Sequence, residues 1–227
     1  MKARFFVGLD LGKQRDHSAI AVVERLETPQ LHLAPALYGG LAVRYVERLA
    51  LGTPYPAVVE RVRCVLGTPE LAGQCCLAVD ATGLGGPVVE MLRGVLTGDD
   101  IARTSYGRDK TTTPSAIEVA AVTITGGERE TELAGGAWNV PKRDLITGLQ
   151  VLLERGELRI AGNLKGVGAL VRELMDVRLT AREGGGVRMG ADGAGEHDDM
   201  AIALALGCWR ASKKVKGPVG EQRGRFW

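Results

Sequence analysis

Acidic residues stand at three places in this chain where a fold can aim them inward. Asp10 lies in Phe5-Phe6-Val7-Gly8-Leu9-Asp10-Leu11-Gly12, Asp80 closes Cys75-Cys76-Leu77-Ala78-Val79-Asp80, and Asp198-Asp199 open the apolar run Met200–Arg210. A carboxylate at the end of a buried strand is costly to desolvate unless it is paired or bound to a metal. Carboxylates at two strand ends and one helix start suit a cage for hard divalent cations. Mg²⁺ and Mn²⁺ take oxygen ligands and need no histidine or cysteine. Two such ions, roughly 4 Å apart, activate a water and neutralise a leaving oxyanion, so the chemistry to expect is phosphodiester cleavage. Without metal the acids would repel one another, and at least one pKa would rise.

Each acid also has a purely local explanation. Asp10 can cap a turn at Gly12, Asp80 can make an Asx turn with Ala81-Thr82, and Asp198-Asp199 can cap the helix that follows. The combination favours a shared site, because the strands carrying Asp10 and Asp80 are neighbours in a plausible sheet. Ala201, Ala205 and Cys208 give the last helix a small-residue face with which to approach those strand ends.

The elements that must position the acids follow from periodicity. Lys2–Leu11 and Ser18–Leu26 read as strands joined by a polar turn, and a third strand is expected at Gln30–Tyr38, completing an antiparallel meander. Pro54–Leu66 has helical spacing of Val58, Val62 and Val65. Gln74–Asp80 is a short buried strand, followed by a helix through Leu96 with Pro87 in its first turn. Further strands are expected at Ile101–Tyr106, Glu118–Gly126 and Leu158–Ile160, with helices at Pro141–Arg155 and Val167–Val177. Arg178–Arg182 and Val187–Met189 flank Glu183-Gly184-Gly185-Gly186, a hairpin signal. The last helix runs from Asp198 to about Arg210.

Bulk properties narrow the class without naming a function. The chain has 227 residues, 45% apolar and 25% charged, enough for one sizeable core. Its net charge of +2 gives no global nucleic-acid signal, but Arg210–Trp227 holds six basic residues against Glu221 alone. Residues 1–211 are expected to form one domain and 212–227 a basic tail. The four cysteines lack metal-ligand spacing and suit reduced, buried thiols. No apolar run nears the roughly 20 residues that span a bilayer, and no signal-peptide pattern opens the chain, so a cytoplasmic protein without membrane partners is expected. Gly8-Leu9-Asp10-Leu11-Gly12-Lys13 imitates a phosphate loop, yet it is one residue short between the glycines and leads into a strand.

Taken in order, Gly8-Leu9-Asp10-Leu11-Gly12 with Asp16-His17-Ser18-Ala19, Val79-Asp80-Ala81-Thr82-Gly83-Leu84-Gly85, Val140-Pro141-Lys142 with Asp144-Leu145-Ile146, and His197-Asp198-Asp199-Met200-Ala201 cover most of the chain. This succession resembles the ribonuclease-H-like (retroviral-integrase-like) superfamily and, within it, the nuclease domain of phage terminase large subunits. The resemblance implies an α/β fold with a mixed central sheet, an antiparallel meander followed by parallel strands, flanked by helices. It implies that Asp10, Asp80, Asp198 and Asp199 hold two Mg²⁺ or Mn²⁺ ions and catalyse double-stranded DNA cleavage, with Asp16 as a further acid beside the metals. It places Arg182, Arg188 and Lys142 against DNA phosphates, and His197 as an orienting or capping residue, with the cap preferred. Large terminases carry an ATPase motor ahead of the nuclease and this sequence opens at the nuclease strand: either the motor is on another chain, or this is an isolated domain, or the protein is not a packaging enzyme. A separate ATPase motor chain or portal and small-terminase components are the partners that the first case implies. A Holliday-junction resolvase, a non-catalytic DNA-binding or assembly subunit and an actin-like ATPase fragment are the alternative readings.

Overall fold

The computed structural model describes residues 4–12, 16–26, 40–83, 85–96, 117–176, 178–181, 187–190 and 197–213. Its frame is an eight-stranded mixed sheet of order β6-β7-β5-β4-β1-β2-β3-β8. The strands are β1 Phe5–Asp10, β2 Ala19–Leu26, β3 Gly40–Arg48, β4 Cys75–Asp80, β5 Glu118–Thr125, β6 Thr131–Glu132, β7 Ala137–Pro141 and β8 Leu158–Ile160. The helices are α1 Tyr55–Leu66, α2 Gly85–Val95, α3 Lys142–Glu154, α4 Val167–Asp176 and α5 Asp199–Ser212. A separate two-stranded hairpin, β9 Arg178–Ala181 with β10 Val187–Gly190, precedes α5. The expected α/β fold with a meander followed by parallel strands is what the chain adopts: β1, β2 and β3 pair antiparallel, while β4 runs parallel to β1 and to β5.

The two faces of the sheet sort its side chains by parity, since successive residues of a strand point to opposite sides. Phe5, Val7 and Leu9 of β1 join Leu77 and Val79 of β4 in a core with Val58 and Val62 of α1 and Val88 and Leu92 of α2. Phe6 of β1 and Cys76 and Ala78 of β4 face the other way, toward Leu145 and Leu149 of α3, Leu170 of α4 and Leu204 of α5. A strand buried on both faces carries no polar alternation, as the wholly buried Phe5–Asp10 segment shows. β1 and β4 are in register, Phe6 beside Cys76 and Gly8 beside Ala78. Their last residues, Asp10 and Asp80, therefore leave the sheet side by side on the α5 face.

Helix α5 is buried along nearly its whole length. It lies unusually close to β1: a Cβ placed on Gly8 would sit 1.9 Å from the Ala203 carbonyl oxygen and 2.7 Å from the Gly207 nitrogen. Gly207 itself has the Phe6 carbonyl oxygen 3.3 Å from where its Cβ would be. The small residues that permit the approach are thus Ala203 and Gly207 against Gly8, and not the expected Ala201, Ala205 and Cys208 face. A helix surrounded by protein has no single packing stripe, so spacing alone does not say which small residues meet the strand.

Two expectations are corrected, and a third falls outside the described residues. Residues Gln30–Tyr38 lie outside the described residues, and the third meander strand that the structure shows is Gly40–Arg48. Its alternation is broken by a register shift opposite Val22/Val23, which hides it in the sequence. The helix expected from Pro141 starts at Lys142, and Pro141 instead ends β7, a strand not foreseen. Ile101–Tyr106 also lies outside the described residues. No described helix is long and apolar enough to cross a membrane.

The contact at Gly8 is open to test by substitution. Gly8→Ala forces a methyl against helix backbone, and such overpacking costs about 3 kcal/mol or more. Gly86→Ala in α2, where a Cβ meets nothing within 4 Å, should instead stabilise by roughly 0.5–1 kcal/mol. Urea unfolding midpoints compare the two; a Gly8→Ala chain as stable as the parent would refute the close approach.

Candidate metal centre

One cleft of about 320 Å³ gathers Asp10 and Asp16, Asp80 and Thr82, Ile124, Lys142, and His197, Asp198, Asp199 and Ile202. All five acids expected at a metal site line it, and so does Lys142. Of the three residues expected to meet DNA, Arg182 lies outside the described residues. Arg188 is placed on β10 by its backbone, opposite Thr180 of β9.

Each acid is held differently. Asp10 is 9% exposed, and no described residue hydrogen-bonds to its carboxylate. The local explanation in which it caps Gly12 fails, because the Gly12 amide donates to Ser18 Oγ at 3.1 Å. Asp80 does make the Asx turn: its Oδ1 accepts the Thr82 amide at 2.8 Å and the Thr82 hydroxyl at 2.5 Å. Thr82 Oγ1 in turn accepts the Ile124 amide of β5 at 2.9 Å, which fixes the turn to the neighbouring strand. One oxygen of Asp80 is thereby anchored, and no described residue bonds to the other.

At the helix start, Asp198 occupies the N-cap position but makes no capping bond with its side chain. Its Oδ2 accepts from Lys142 Nζ at 2.6 Å. Asp199 is 5% exposed, and its Oδ2 is buried with no hydrogen-bond partner. Arg48 Nε and His197 Nδ1 each approach that oxygen to only 3.7 Å. His197 therefore faces Asp199 and does not cap the helix; it also meets His17 edge-to-face, ring centroids 5.0 Å apart. His17 donates from Nδ1 to the Leu49 carbonyl at 2.8 Å, which fixes its tautomer.

The electrostatics follow from this crowding. Burial pushes the Asp10 carboxyl well above the usual range, and repulsion from Asp80, Asp199 and Asp198 adds to it, with Lys142 opposing. Asp199 is raised as well, first by burial, with Arg48 and His197 pulling the other way. Among the described residues no three histidine, cysteine or carboxylate side chains close around a single point. The cleft is therefore an open set of hard oxygen donors and not a finished cage. That suits Mg²⁺, which uses one or two carboxylates and completes its octahedron with waters and substrate phosphate. The buried Asp10, the partnerless Asp199 oxygen and the lysine ammonium seated on Asp198 each mark a place where positive charge is favoured.

The residues that sequence reasoning missed are Arg48, Glu173, Thr82 and His17. Thr82 and His17 have local signals, in Asp80-Ala81-Thr82 and in Asp16-His17-Ser18-Ala19. Arg48 and Glu173 come from a strand end and a helix far apart in sequence, and only the fold brings them together. A larger cavity of about 690 Å³ opens at the opposite strand ends, among Arg4, Phe5, Val22, Arg44 and Leu71. Its buried Glu24 is already paired with Arg4 and Arg44, and that cavity has none of the acidic crowding.

No protein-family model and no curated protein matches the chain. Solved structures do. The large terminase nuclease from thermophilic phage G20c with bound cobalt aligns at TM-score 0.59 and 21% identity, over 91% of this chain and 80% of that one. The same nuclease with bound magnesium aligns at TM-score 0.57, with the same identity and coverage. The large terminase nuclease domain of Thermus phage P74-26 aligns at TM-score 0.52 and 19% identity, over 91% and 81%. The chain thus has the ribonuclease-H-like fold of phage large terminase nuclease domains.

Repulsion in the cleft has a measurable consequence. A carboxyl whose folded pKa is raised adds stability below its unfolded value, near 3.8, and loses it as pH climbs through the folded pKa. In EDTA, Asp10→Asn should therefore melt above the parent at about pH 7–8, and the gap should close toward about pH 4. Mg²⁺ should raise the parent's melting point and leave that of Asp10→Asn nearly unchanged. Equal metal-free melting points across the whole pH range would contradict the burial of a charged Asp10.

Proposed function

We propose that this chain is a divalent-metal-dependent endonuclease that cuts double-stranded DNA with two metal ions, of the kind that trims DNA during phage packaging. The observation that carries this reading is the convergence of Asp10, Asp80, Asp198 and Asp199, from two adjacent strand ends and one helix start, on a single open cleft. The terminase nucleases that share the fold were solved with magnesium or cobalt, which agrees with the hard-oxygen donor set.

In this reading Asp10 and Asp80 at the rim of the sheet, with Asp198 and Asp199 from α5, are the residues that would hold the cations. Bound there, Mg²⁺ or Mn²⁺ would lower the pKa of a water and neutralise charge on the phosphate. The protein contributes fixed geometry. Asp80 is locked by Thr82, Asp10 by its strand, and Asp199 by a fully buried helix, so the donors need little reorganisation when substrate arrives. Lys142, whose ammonium stands on Asp198 in the cleft, would serve a DNA phosphate there. Asp16 is a further acid at the cleft mouth. The hairpin carrying Arg188, together with Arg182 and Lys142, supplies backbone contacts that set register without reading sequence. Its partners on this reading are duplex DNA and the packaging machinery, an ATPase motor with portal and small-terminase components.

Incubation with supercoiled plasmid and Mg²⁺ or Mn²⁺ should give nicked and linear products, and EDTA should stop the reaction. Metal assistance is worth several kcal/mol, so Asp10→Asn or Asp80→Asn should slow cutting by roughly a hundredfold or more while the circular dichroism spectrum is retained. DNA binding should weaken steeply between low and moderate salt as phosphate contacts release counterions. Undiminished metal-dependent cutting by both variants would reject the assignment.

A further inference from the structure

The first turn of α5 is capped from outside itself. Helix starts leave amides without partners, and an N-cap aspartate ordinarily accepts one. Asp198 does not; the Ala201 amide donates instead to Glu173 Oε2 of α4 at 2.9 Å. Glu173 is 4% exposed, and its other oxygen accepts from the Arg48 guanidinium of β3. The same guanidinium turns its Nε toward Asp199 Oδ2, yet stops at 3.7 Å, and both of those buried atoms lack a hydrogen-bond partner. An arginine and a carboxylate buried this close ordinarily shut into a charge-assisted pair. What prevents it is that one cation stands between two anions, and Glu173 has the hydrogen bond.

We propose that Glu173 is a positioning residue: by engaging the Ala201 amide it spares Asp198 the cap, and by engaging Arg48 it spares Asp199 a salt bridge, which leaves the Asp199 carboxylate available to a divalent cation. This rests on the metal-site reading above and adds to it the device that holds one ligand ready. Outer partners that orient metal ligands are worth about 10–100-fold in metal affinity. The expected failure is specific. With the Glu173 charge removed, Arg48 swings onto Asp199 and competes with the metal.

The test is Mn²⁺ titration calorimetry on the full chain without DNA. Glu173→Gln keeps shape and an acceptor for Ala201, and should weaken Mn²⁺ binding about tenfold or more. Adding Arg48→Gln to that variant should restore most of the loss, since no guanidinium remains to occupy Asp199. A merely structural role predicts the opposite, a double variant at least as impaired as the single. Parent-like affinity of Glu173→Gln, or no recovery in the double variant, overturns the proposal. If Glu173→Gln fails to fold, Arg48→Gln alone decides: it should bind Mn²⁺ at least as tightly as the parent, and a tenfold loss overturns the idea. A parent chain that binds Mn²⁺ through Asp199, shown by loss in Asp199→Asn, but leaves plasmid intact ends the nuclease reading and leaves this assignment standing. A parent that binds no Mn²⁺ ends both.

Discussion

The backbone-to-backbone approach of α5 to β1 is the constraint on which the site depends. With no side chain at Gly8, the Ala203 carbonyl occupies space that any Cβ would fill, and Gly207 lets the next turn follow the strand. A helix resting on ordinary side chains would stand farther from the strand and carry its first turn away from the sheet. Here the first turn is brought to the strand end, so that Asp198 and Asp199 enter the same cleft as Asp10. Gly8 and Gly207 weaken strand and helix by propensity, and both shorten this distance.

Closeness has an electrostatic cost. Burial and mutual repulsion raise Asp10 and Asp199 together, so the metal-free cleft opposes folding at neutral pH. The surrounding chain moderates that cost without abolishing it. Lys142 sits on Asp198, Thr82 takes one oxygen of Asp80, and Arg48 faces Asp199 from a distance at which it screens without bonding. Full neutralisation by tight salt bridges would have left no carboxylate oxygen in the cleft unpaired.

Much of this was legible in the sequence, for identifiable reasons. A six-residue apolar run ending in aspartate occurs twice, and β1 and β4 form as those runs suggest, in register, because strands buried on both faces have no polar alternation to disguise them. The amphipathic period of α1 and α3 survives for the complementary reason, that one side of each meets solvent. β3 was hidden by its bulge and by Arg44, Glu47 and Arg48 among its apolar residues, and β7 by a proline that also suggests a helix start. The acids could be found because carboxylates are conspicuous in apolar surroundings. Arg48 and Glu173 could not, because each looks like an ordinary charged residue until the fold buries them against each other.

The far end of α5 shows how the near end can be held so firmly. Past Cys208, whose thiol burial pushes up to about 12, the helix meets a ring of polar ties. Trp209 donates to Glu130 at 3.0 Å, Arg210 pairs with Glu118 of β5 at 2.5 Å, and Arg25 of β2 donates to the Ala211 carbonyl. Lys213 reaches Glu130 and lies over the Trp138 and Trp209 rings. These contacts join the helix to strands on both sides of β1, so that α5 is clamped at its C-terminal end and wedged against Gly8 in its middle. A rod fixed at two points has little freedom left at its third. The repulsion concentrated on Asp198 and Asp199 therefore acts on a helix that is held from retreating.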